Sequence, residues 1–207
     1  MSTIRDLRGK APRMRSQGPW PRRNGLFRFT TEQVCRLEKL GFFDGRRVEL
    51  LEGVIYEMTF NTPHATSTSL SLLVLQATFP GCHLRPGLPV QVGRRSLPEP
   101  DFAVVLGGPR DHADAHPSDA LLLVEISDAT LRKDRTLKAH LYALGGFNDY
   151  WIVNLVDRQL EVHRNPGPDP TRKRRFRYAE VTIVPADGHA SPLARPEALI
   201  SVADLLP

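Results

Sequence analysis

The sequence predicts an α/β domain in which helices flank a mixed sheet. Two continuous apolar runs, "DFAVVL" at 101–106 and "ALLLVEIS" at 120–127, have the signature of strands buried on both faces. Segments with apolar residues at helical spacing alternate with them along the chain. With 207 residues, 41% of them hydrophobic, the chain is long enough to bury a sizeable core.

The elements follow in order. Residues 1–24 hold three prolines and few aliphatics, and read as a flexible basic arm ahead of a domain over 25–207. Thr30 and Gln33 form a capping-box pattern that opens a helix. Val34, Leu37 and Leu40 give it an apolar stripe, and Gly41 ends it. "RRVELLEGVIYEM" (46–58) predicts two strands around a turn at Glu52-Gly53. Pro63 and His64 precede a second helix, whose apolar positions are Leu70, Leu73, Val74 and Ala77. "HLRPGLPVQV" (83–92) is strand-like but broken by prolines, which places it at a sheet edge. A loop separates the two buried runs. Leu131 to Leu144 then reads as a helix with a stripe of Leu137, Leu141 and Leu144, stopped by Gly145-Gly146. Residues 150–165 make two strands joined at Asp157-Arg158, with Tyr150-Trp151 as core packing. A Pro/Arg-rich loop, a weak strand near 176–184 and a short helix near 195–205 complete the chain.

Charge is unevenly placed. The net charge is +5, yet residues 1–24 alone carry seven basic residues against one acid. The rest is close to neutral apart from a second basic cluster, Arg172, Lys173, Arg174 and Arg175. Two such segments suit phosphate contacts or simply solvation. Two cysteines, no apolar segment of roughly 18 residues and no secretory signal lead us to expect a cytoplasmic protein without a membrane span.

The chemistry concentrates where acids adjoin buried strands: Glu49, Asp101 and Glu125. An ionised carboxylate beside an apolar strand is costly unless it is paired or bound to a cation. If the two central strands are neighbours, their acidic ends meet, and hard oxygen donors favour Mg²⁺ or Mn²⁺. Lys138 lies in the following helix, with Asp134 four residues before it and Tyr142 four after, all on one helical face. Acids, metal and lysine together suit hydrolysis of a phosphodiester. His64 is a candidate contact to substrate phosphate. His112 and His116, four apart in a loop without cysteines, match zinc spacing only weakly.

Taken together, "RVELLEGVIYEM", His64, "PEPDFAVV", "LLLVEISDAT" and "DRTLKAHLYALGGFNDYWIVN" resemble the Uma-two endonuclease family over residues 30 to 165. The resemblance implies a restriction-endonuclease-like fold with the superfamily motif PD…(D/E)xK. Pro100-Asp101 matches the PD and Glu125 the second acid. Ser127 stands in the lysine position, and Lys138 fits as a lysine supplied from the next helix. Glu49 matches the family's early glutamate; spacing alone does not choose it over Glu52.

The implied activity is Mg²⁺- or Mn²⁺-dependent cleavage of nucleic acid, DNA foremost. Glu49, Asp101 and Glu125 would hold the metal and Lys138 would act at the phosphate. His64, Asp134, Tyr142 and Arg172 to Arg175 are expected to contact substrate. Nucleases of this kind often act as dimers, which makes a homodimer an expected assembly, although no self-complementary patch can be read. The alternative is a catalytically silent domain that keeps the fold and binds nucleic acid or a protein partner.

Overall fold

Six strands form the central sheet of the computed structural model, which describes residues 25–58 and 62–207. The basic arm expected over 1–24 lies outside the described residues. Thr30 caps helix α1 (Thr31–Lys39) with the reciprocal Gln33 bond the capping box requires. Strands β1 (Val48–Leu51) and β2 (Val54–Glu57) form an antiparallel hairpin. Its two-residue turn places both Glu52 (φ 48°) and Gly53 (φ 80°) in the left-handed region. Helix α2 (Thr62–Thr78) follows.

The sheet is built from β3 (His83–Pro86), β4 (Phe102–Val105), β5 (Leu122–Ser127), β6 (Asp149–Asn154), β7 (Gln159–Pro168) and β8 (Phe176–Pro185), in that spatial order. All neighbours are antiparallel except β5 and β6, which are parallel. Between β5 and β6 the chain runs through α3 (Leu131–Lys133), a π-helical turn (Asp134–Lys138) and α4 (Ala139–Gly145). A short pair, β9 (His189–Ala190) and β10 (Ile200–Ser201), precedes a terminal 3₁₀ turn at Val202–Leu205. Among the described residues no helix is long and apolar enough to cross a membrane.

Every residue of β4, β5 and β6 is buried, as their apolar runs require. One sheet face carries Phe102, Val104, Val124, Ile126 and Trp151 against Leu75 and Phe79 from the α2 segment and Ile200, Val202 and Leu205 from the C-terminal segment. The other carries Ala103, Leu123, Tyr150 and Ile152 against Leu141, Tyr142 and Ala143 of α4. Alternation along β5 puts Glu125 on that second face, beside Leu123.

Several expectations change in detail. Leu40 is 81% exposed, because α1 turns only Val34 fully inward, onto Leu50 and Leu97. Pro63 and His64 lie inside the first turn of α2, not before it. The buried line of α2 is Ser67, Ser71 and Leu75, and Leu73 is exposed. The small serines let this helix approach closely, and Ser67 donates to the Leu205 carbonyl at 2.6 Å. Leu144 is likewise exposed, since the face of 131–145 that meets the sheet includes the polar positions. The prolines at 166 and 168 belong to β7, and the expected C-terminal helix is reduced to one 3₁₀ turn.

Candidate active site

The antiparallel pairing of β4 with β5 sets Phe102 opposite Val124, so Asp101, just ahead of β4, falls beside the C-terminal half of β5. Its Oδ2 accepts the Ile126 N–H at 2.7 Å. This bond terminates the ladder with a side chain and fixes the carboxylate beside Glu125. Asp101 Oδ1 lies 3.2 Å from His64 Nε2, presented by the first turn of α2. Burial alone would lower His64, but its contact with Asp101 and the nearby Asp134 and Asp128 leave it raised above the ordinary histidine value.

Glu125 is 3% exposed. Its Oε1 accepts from Tyr142 Oη at 2.6 Å and from Lys138 Nζ at 2.8 Å. Burial raises the carboxyl well above its ordinary value despite Lys138, and Asp134, Asp101 and Glu49 add to the rise. Lys138 is fully engaged: it donates also to the Glu99 carbonyl at 3.0 Å and lies 3.3 Å from Glu49 Oε2. Desolvation opposes its charge, yet Glu125, Glu49 and Asp134 outweigh it and hold the ammonium charged.

Ser127, in the motif's lysine position, donates to Asp134 Oδ2 at 2.7 Å, and Thr130 donates to the same oxygen at 2.6 Å. A lysine at 127 would have to occupy the space where Asp134 now sits. The 131–145 segment brings the Lys138 ammonium to Glu125, and the π-helical turn contributes to that placement. Widening the helix at Asp134–Lys138 turns both ends of the bulge inward, and both residues are buried. Tyr150 Oη donates to the Asp134 carbonyl at 3.2 Å.

Glu49 is buried, with Oε1 2.8 Å from Lys133 Nζ, Oε2 3.3 Å from Lys138 Nζ, and the Glu99 N–H donating at 3.3 Å. Burial would raise its carboxyl, but the two lysines reverse this and leave it lowered. Glu99 itself is held by Arg47 at 2.9 Å. A pocket opens over these groups, lined by Glu57, Met58, His64, Asp101, Glu125, Ile126, Thr130, Lys133, Asp134 and Lys138.

The structure therefore brings Asp101, Glu125, Lys138, His64 and Asp134 to one pocket. Tyr142 stands behind Glu125, and Glu49 stands behind the two lysines, off the pocket wall. The basic cluster lies elsewhere. Arg172, Lys173 and Arg174 are exposed in the β7–β8 loop, and Arg175 reaches Glu52 at 3.6 Å, at the far end of the hairpin from Glu57. Lys133 was not legible from the sequence, where it is one of several basic residues near a helix start. The only signal was its position five before Lys138, which a π-helical turn brings onto the same side.

The comparisons to known proteins bear on family and fold. Residues 31–194 match the Uma2 family, described as "Putative restriction endonuclease". The chain belongs to the Uma2 family. A crystal structure described as "a putative nuclease belonging to DUF820 from Anabaena variabilis ATCC 29413" aligns with a TM-score of 0.62 at 16% identity, covering 86% of this chain and 97% of that one. That likeness shows a shared fold, which in this chain is a mixed six-stranded sheet between helices. No curated protein matches the chain.

The donor set at the pocket can be weighed against a divalent ion. Among the described residues no three of His, Cys, Asp and Glu converge as a ready-made cluster. Magnesium, however, commonly takes one or two carboxylates and completes its shell with water and substrate phosphate. Asp101 and Glu125 supply that pair, and no described hydrogen bond reaches Glu125 Oε2. Glu49, with both oxygens paired to lysines, is a counter-charge for the lysines in this structure.

Proposed function

We propose that this Uma2 protein is a nuclease that hydrolyses phosphodiester bonds of nucleic acid, DNA foremost, with Mg²⁺ or Mn²⁺ held by Asp101 and Glu125. The observation that carries the reading is the convergence of these two acids, from different strands, on one pocket that also presents lysines. A bound divalent ion would polarise the phosphate and lower the pKa of a water attacking it. Asp101 is oriented for this by the Ile126 N–H, so its carboxylate does not swing away from the strand end. Tyr142 and Lys138 hold Glu125 Oε1, and its second oxygen has no hydrogen-bond partner among the described residues. Lys138 is the counter-charge shared by Glu125 and Glu49; it helps lower the Glu49 carboxyl and opposes, without reversing, the rise that burial imposes on Glu125. His64 and Asp134 flank the phosphate position, and Arg172 to Arg175 offer a separate, sequence-independent contact to a longer substrate.

The test is calorimetric Mn²⁺ titration of the wild type, Asp101→Asn and Glu125→Gln, alongside plasmid nicking. Saturable binding lost in both variants, together with metal-dependent nicking lost in both, is the expected result. Nucleic-acid binding that persists unchanged in EDTA, with no Mn²⁺ site in any of the three proteins, would replace the nuclease by a silent binding domain.

A further inference from the structure

The two lysines of the pocket are differently committed. An ammonium has three N–H donors. Those of Lys138 are taken by Glu125 Oε1 at 2.8 Å, the Glu99 carbonyl at 3.0 Å and Glu49 Oε2 at 3.3 Å. Its side chain is 3% exposed, so neither a phosphate oxygen nor a water can reach it without breaking one of those contacts. Lys133 lines the same pocket at 26% side-chain exposure. It has a single carboxylate partner, Glu49 Oε1 at 2.8 Å, and its ammonium lies 5.8 Å from the Tyr56 ring centroid. Glu49 below and the Tyr56 face beside it hold the side chain in place. Two of its N–H groups have no protein acceptor among the described residues.

We infer that Lys133 is the lysine that contacts substrate phosphate, while Lys138 is a buried positioning cation. The assignment rests on the nuclease reading above and gives a new role to a residue outside the motif. Lys133 donates to a non-bridging phosphate oxygen while Asp101 and Glu125 serve the ion side of the same phosphate. Glu49 is the shared counter-charge that keeps the two lysines apart in function: one oxygen orients Lys133, the other saturates Lys138.

The test compares wild type, Lys133→Gln, Lys133→Arg and Lys138→Met in the full chain. Binding of a fluorescein-labelled DNA duplex is followed by anisotropy in Ca²⁺ across a salt series, and cleavage is followed in Mg²⁺. Loss of one phosphate contact should lower the slope of log K against log[salt] by about one and weaken binding about 10-fold. Lys133→Gln is expected to show both, with a raised KM, and Lys133→Arg to restore most of the loss. Lys138→Met should keep the wild-type salt slope while its thermal midpoint falls. A Lys133→Gln protein with wild-type slope and affinity, beside an active wild type, overturns the assignment alone. A wild type that neither binds nor cuts the duplex overturns the nuclease reading and this assignment with it.

Discussion

Two polar networks engage side chains of the 131–145 segment, one around Glu161 and one around Glu125, and they are built on different principles. In the first network Arg135 forks onto Glu161, with Nη2 2.5 Å from Oε1 and Nε 2.9 Å from Oε2. Asn154 adds a bond to Oε1 at 2.7 Å, and Asp157 takes a second Arg135 contact at 3.3 Å. Burial would raise the Glu161 carboxyl, but His163, Arg135 and Asn154 outweigh it and bring it down to about 2. In the second network Glu125 has, among the described residues, partners on one oxygen only, and its carboxyl is pushed up by burial and by three neighbouring acids. The first network satisfies its carboxylate; the second leaves one short of donors at a pocket. A saturated pair of this kind holds structure together, whereas an unsatisfied acid beside an opening is poised to take a cation.

The comparison can be broken most sharply at Asp101 and Glu125. Asp101→Asn or Glu125→Gln should reduce metal-dependent cleavage by at least about 100-fold while leaving the protein folded, read by nicking rates and a thermal melt. Equal loss of fold and activity would make the second network structural like the first. The converse is expected at Arg135. Arg135→Met removes the fork from Glu161, which keeps its Asn154 bond, and should cost about 1–2 kcal/mol, or roughly 5 °C in thermal midpoint, with little change in cleavage per folded molecule.

Acid titration sharpens the contrast. The Glu161 pKa lies below its ordinary 4.5 in the folded state, at about 2. Its contribution is therefore present in full above pH 4.5 and is lost as pH falls toward 2, worth about 3 kcal/mol at most. Denaturant unfolding across that range should show a steep acid decline in the wild type and a shallower one in Glu161→Gln. The smallest effect is expected at Tyr142. Tyr142→Phe removes one donor from Glu125 and should cost about 1–2 kcal/mol, with a cleavage loss of a few-fold, measured by urea unfolding and nicking.

Much of the frame was legible in the residues. Continuous apolar runs marked β4 and β5, the capping box marked α1, and the position of the hairpin turn was visible in Glu52-Gly53. The α2 face was misread because its inward line is Ser67, Ser71 and Leu75, and the two serines serve close approach, not hydrophobic burial. Arg135 and Asn154 carried no signal, since their partner Glu161 lies on another strand. The bare spacing of Asp134, Lys138 and Tyr142 did suggest a shared face.

What the sequence determined by itself was local: strand and helix identity, turn chemistry, and the acids placed at the ends of apolar strands. Those follow from propensity and periodicity, which act over a few residues. Only the tertiary structure decided which oxygen of each acid is occupied, that Glu49 serves two lysines, and that Lys138 is spent while Lys133 is open. Such distinctions depend on strand register and on a π-helical turn that shifts side chains by a fraction of a helical turn. Hydrogen bonds are satisfied or lost over less than an ångström, a scale that spacing along a chain does not resolve.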